Sequence, residues 1–330
     1  MKTSDLLFEQ ISAVPKEHSA AMLHKAYKQR FIHSFIQLIN YAQHILRKDY
    51  HLILAELDQL DIDSPSFISP WLYSQYFKLL ESMKNDDVFA VEQTIQSLTD
   101  SSRWLIHERV IASGLQEEWE KQVFVEEVNV AFGSDCMQAC SSTEEELKKF
   151  KIATSEVLKW IAEADSYFID EINSLVSTIN LVKSNVNVGA TSPKFFGAIY
   201  LSLPNNLEQL HNIFLVEHLV HETSHIYLNA VIAHDPLVLN ESNERFISPI
   251  RTDLRPMLGV YHAAFVLSRV LRVFKQIQQL KLYDNERILN QSIGNLTKKY
   301  KASFDTVSRQ AVLTQLGKQI LLSTQECALI

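Results

Sequence analysis

Only 7 glycines and 8 prolines punctuate 330 residues. Tight turns draw heavily on these two residue types, and a many-stranded β fold needs a turn every ten residues or so. Their scarcity predicts long uninterrupted elements, which means helices. Hydrophobic residues make up 46% of the chain, enough to build a core. The formal net charge is -8, which argues against sequence-independent nucleic-acid binding, since that needs a basic footprint. The three cysteines, Cys136, Cys140 and Cys327, are too few and odd in number for a disulfide framework and suit a reducing compartment. The first residues lack the apolar stretch of a signal peptide, and the longest apolar runs carry His, Glu or Arg. The expectation is a soluble, cytoplasmic protein with no nucleic-acid and no membrane partner.

Along the chain, Lys16 to Arg47 shows helical spacing of apolar residues, with Phe31, Phe35 and Ile39 in one stripe. Asp61–Pro65 and Pro70 break the pattern, which resumes at Trp71, Asp87 and Leu115, with Asp100–Ser102 as a further helix start. Ser141 to Glu144 offers hydroxyl caps before acidic residues, and the helical pattern runs on, whole or broken, to about Val182. The texture then changes. Val186 and Val188, then Ala198, Tyr200 and Ser202, alternate with their neighbours and predict one or two short strands. A helix is expected from about Asn206 to Ala233, ended by Pro236, followed by an irregular stretch to Arg255. Another runs from Pro256 to Leu280, and two more fill the C-terminus. The fold class expected is mainly α: a helical region over 1–183, then a region over 184–330 holding a zincin-like strand–helix metal unit and C-terminal helices.

The chemistry concentrates at His221-Glu222-Thr223-Ser224-His225. On a helix, residues four apart project from one face, so His221 and His225 can share one metal ion. Glu222 can approach a metal-bound water as a general base. The alternative is a helix carrying two ordinary histidines. For a third ligand the sequence offers His262, on a regular helix, and Glu244, with 18 residues between it and His225; Glu241 and Asp253 are weaker choices. Each has a bland counterpart: a core histidine for His262 and a solvated loop carboxylate for Glu244. His218 and Asn229, each about one turn from a motif histidine, are candidates to support the ligands, or simply to pack. Between Pro249 and Pro256, Arg251 and Arg255 flank Asp253. Guanidinium groups grip carboxylates through paired hydrogen bonds, so one arginine could bind an acidic ligand while Asp253 orients the other. A purely structural Arg–Asp network is the alternative.

The segments HETSHIYLNAVIAHDPL and ERFISPIRTDLRPMLGVYHAAFVLSRV resemble the HExxH-motif peptide-modification proteins, which accompany ribosomally made, post-translationally modified peptides. The family pattern falls on His221, Glu222 and His225, on Leu228 and Asn229, on Ser248 to Pro256, and on Gly259 and His262. It covers roughly residues 195–275. Ile250 stands where the family often has Trp, and Leu254 where Pro is usual. The resemblance implies an iron(II)/2-oxoglutarate-dependent hydroxylase acting on a precursor peptide, with Arg251 or Arg255 holding the carboxylate of the cosubstrate. Glu222 would then orient a ligand or water. Competing with it are a zinc metallopeptidase that trims such a peptide, with Glu222 as base, and a non-catalytic recognition partner of a co-encoded maturation enzyme. The helices of 1–183 would grip the peptide.

Overall fold

The computed structural model describes residues 8–48, 50–132, 139–185, 189–202, 212–250 and 253–329. In chain order the helices and strands are α1 (Ser19–Leu46), α2 (His51–Asp58), β1 (Phe67–Ile68), α3 (Pro70–Lys84), α4 (Val88–Ser97), β2 (Leu105–Ile106), β3 (Val110–Ser113) and α5 (Glu118–Phe132). Next come β4 (Ala139–Ser141), α6 (Glu144–Ala164), α7 (Ser166–Leu175), β5 (Thr178–Ser184), β6 (Gly189–Ala190) and β7 (Ala198–Ser202). The last are α8 (Asn212–Ile232), α9 (Met257–Leu280), α10 (Glu286–Gln310) and α11 (Gln315–Leu329). The protein is mainly helical with a small mixed sheet.

Two compact units emerge, each built from separated stretches of chain. One comprises His24–Glu144 and Leu175–Ser202 and contains the sheet. Its strands run in the order β3-β5-β7-β6, with β4 also on β5. β5 pairs in parallel with β3 over its first residues and antiparallel with β4 over its last. β7 lies parallel to β5 and antiparallel to β6. Leu115, Phe124, Val128, Val182, Phe195, Ala198 and Tyr200 form a core against this sheet. The Tyr200 hydroxyl, buried among them, donates to Glu120 at 2.9 Å. Helix α3 starts where the sequence places it. Ser69 accepts from the Leu72 amide and also donates to the Arg103 carbonyl at 2.6 Å, and Pro70 occupies the first turn.

The central strand β5 corrects the expectation of helix to Val182. The helix ends at Leu175, and Thr178–Ser184 is extended. Four consecutive residues, Ile179 to Val182, are buried, the polar Asn180 among them, so the alternation from Thr178 to Leu181 does not mark an exposed face. β7 is likewise buried at all five positions, so its alternation in sequence does not mark an exposed face. β3, inside a region expected to be all helix, is short and takes its partner from residues 178–181. Asp100 caps only a 3₁₀ turn, Ser101–Arg103. Val186 and Val188 lie outside the described residues.

The other unit comprises Met1–Leu23, Glu145–Ser174 and Leu203–Ile330. Helix α9 is its axis, packed by α8, α10 and α11. Among the described residues it is the single helix long and apolar enough to cross a membrane, yet 83% of that window is buried, as in a core helix. Lys281, in a left-handed conformation, closes it. Arg269 and Arg272 lie inside the core, paired with Glu171 and Asp165.

Candidate metal centre

Helix α8 carries the HExxH motif and is buried along most of its length, which forces its polar residues into defined surroundings. His221 and His225 face each other, Nε2 to Nε2, at 3.1 Å. Two imidazole nitrogens on one ion with bonds of about 2.1 Å stand roughly 3.0 Å apart at right angles and roughly 3.4 Å apart in a tetrahedron. The pair is therefore spaced for a shared cation. His262, from α9, meets the same cluster at the opposite nitrogen, Nδ1 of His225, at 2.9 Å. The His225 and His262 rings stack with centroids 5.2 Å apart. His225 thus stands between the other two and presents a different nitrogen to each. One ion can use only one of them, and among the described residues no three His, Cys, Asp or Glu side chains converge on a single point.

Electrostatics favour the ligand form of each ring. Burial is the largest influence on all three and neighbouring imidazoles add to it. His225 is pushed down to about 3, His262 to about 4, and His221 well below the usual histidine value. All are neutral at pH 7, and neutral imidazole is the form that binds metal. His218, one turn before His221, is pushed down to about 4 by burial and packs its ring edge on Phe214 at 4.2 Å. Burial pushes the Glu222 carboxyl up to about 8, so without a nearby cation it holds its proton at neutral pH.

The remaining predicted residues divide. Glu244 sits in an exposed turn, where its carboxylate accepts from Asn240 at 3.1 Å. Glu241 is exposed in the same turn. Asp253 and Arg255 form the expected ion pair at 2.9 Å, and Arg255 is further pinned by paired backbone hydrogen bonds with Phe246. Arg251 lies outside the described residues. Asn229 follows His225 by one turn and is half-buried.

Sequence reasoning missed Lys299 of α10, whose charge acts on both His221 and Glu217. It also missed the buried partners Glu171 and Arg269. Neither carries a local signal, because the two meet each other only through helix packing. Compared with protein-family models and with curated proteins, the chain matches none.

Proposed function

We propose that the protein is an iron(II)/2-oxoglutarate-dependent hydroxylase that modifies a side chain of a ribosomally made precursor peptide in the cytoplasm, with or without a co-encoded maturation enzyme. The observation that carries the proposal is the meeting of neutral His221 and His225 at 3.1 Å, beside His262 and the buried Glu222. In this reading β7 followed by α8 supplies the strand-then-helix order of a zincin-like metal unit. The iron, with 2-oxoglutarate and O2, supplies oxidation of a peptide C–H to C–OH, while 2-oxoglutarate leaves as succinate and CO2.

The chain's own residues do the rest. His221 and His225 hold the ion. His262 either completes the ligand set or, across the Nδ1 contact, keeps the His225 ring in the rotamer that aims Nε2 at the ion. Arg255, fixed by Asp253, and Arg251 offer guanidinium groups to the distal carboxylate of the cosubstrate. Asn229 steadies the ligand face one turn on. Glu222 orients a water or ligand from its buried position. Residues 1–183 grip the peptide.

The competing reading is the zinc metallopeptidase, in which a bound cation would draw the proton off Glu222 and leave it the base for water. The two readings part in one experiment. The protein is purified without oxygen, loaded with iron(II) or zinc, and incubated with the precursor peptide encoded beside it, with and without 2-oxoglutarate. A hydroxylase yields an intact peptide heavier by one oxygen, only with iron, O2 and 2-oxoglutarate. Cleavage with zinc alone overturns the proposal in favour of the peptidase, and an unchanged peptide in every arm leaves only the recognition role. His221→Ala abolishes either activity. His262→Ala decides its part: loss of all metal binding marks a ligand, whereas a weakening of about 10–100-fold marks an orienting partner.

A further inference from the structure

Two turns along α9 from His262 lies Arg269, fully buried and paired with Glu171 of α7, itself 1% exposed. The guanidinium carbon stands 4.8 Å from the ring centres of Phe168 and Tyr227 and 5.1 Å from that of Phe265. Tyr227 is on α8, two residues past His225, and stacks on Phe265 at 6.0 Å. On α9, His262, Phe265 and Arg269 fall at i, i+3 and i+7, a spacing that places them in one stripe of the helix. The stripe that brings an imidazole to His225 therefore also brings a cation to Tyr227.

As a source of stability the pair is poor. Nε and Nη1 of Arg269, and Oε1 of Glu171, find no hydrogen-bond partner among the described residues. Two charges removed from water with bonds unmet recover little of the desolvation cost, and apolar side chains of similar volume often serve as well. What the pair does supply is direction. A planar guanidinium fixed by one carboxylate and faced by three rings fits a single rotation and axial position of the partner helix, whereas aliphatic packing tolerates sliding.

We propose that the Glu171–Arg269 clasp is a positioning device that sets α8 against α9, so that His225 and His262 meet nitrogen to nitrogen. Its consequence for metal affinity rests on the reading of His221 and His225 as ligands; the meeting of the imidazoles does not.

The test uses the full chain with Glu171→Leu and Arg269→Met combined, and separately Arg269→Lys, which keeps the charge and loses the planar fork. In metal-free protein with ¹⁵N-labelled histidine, the N–H shared by His225 and His262 gives a distinct imidazole resonance. Cobalt(II) titration then reads the ligand pair. The double variant is expected to resist urea as well as the native protein, to lose the shared resonance, and to bind cobalt roughly tenfold more weakly. Arg269→Lys shifts both readouts in the same direction by less. If the double variant, or Arg269→Lys where the double variant does not fold, keeps the resonance and holds cobalt within about twofold of native, the clasp is packing alone and the proposal is overturned. If the native protein binds no cobalt, the metal reading fails, while the resonance still decides the clasp.

Discussion

Gly317→Ala sets two known effects against each other. Gly317 lies in the first turn of α11, and alanine there gains about 1 kcal/mol of helix propensity over glycine. The structure opposes that gain. A Cβ on Gly317 would stand 2.3 Å from the Leu237 carbonyl oxygen and 3.0 Å from its carbon, in a buried position. An ordinary contact needs about 1 Å more, and the backbone at Leu237 is not free to give it. Leu237 is held at φ 59, its carbonyl accepts from the Thr314 amide at 3.0 Å, and the Leu239 amide donates to the Val312 carbonyl at 2.7 Å. Asp235 binds the Thr314 hydroxyl at 2.7 Å. Overpacking costs about 1–3 kcal/mol, and parting the buried Thr314–Leu237 hydrogen bond adds about 1 kcal/mol or more. The clash outweighs the propensity, for a net loss of about 2 kcal/mol. Urea unfolding followed by circular dichroism measures it. Because the Tyr261 hydroxyl donates to the Gly317 carbonyl at 2.8 Å, one residue before His262, cobalt affinity should fall as well. An unchanged or higher midpoint would refute the reasoning, since it would mean that helix propensity acts alone.

Ser69→Ala removes the cap of α3 and a partly buried hydrogen bond to Arg103, and should cost about 1–2 kcal/mol in the same urea assay; Ser69→Thr should recover part of it. His24, pushed down to about 3 by burial and then by Lys28, predicts acid sensitivity. Its folded value lies below its unfolded one, so the folded state binds fewer protons in between. The stability it contributes is whole above pH 6.5 and is lost progressively as pH falls toward 3. By pH 4.5 the loss reaches about 2–3 kcal/mol, and His24→Leu should flatten that part of the profile; a difference between native and variant that stays constant from pH 7 to 4.5 would show that the ring is not desolvated.

What the sequence reveals and what it hides follow from how far apart the partners lie along the chain. The motif histidines are legible because four residues on a helix bring them together without help from anything else. The bounds of α9 and the start of α4 at Asp87 are local for the same reason. Strand β5 fails the local test, since its polar–apolar alternation is confined to Thr178–Leu181, directly after a long helical pattern, and its partner β3 is remote in sequence. His262 is an intermediate case. Its presence on a helix is readable, but its approach to Nδ1 of His225 rather than Nε2 depends on how α8 and α9 are rotated. That rotation is set by side chains such as Arg269 and Glu171, 98 residues apart. A buried charge pair looks, in sequence, like any exposed arginine and glutamate. The pairing of His221 with His225 can therefore be read from five consecutive residues, whereas which nitrogen points where appears only once the helices are packed.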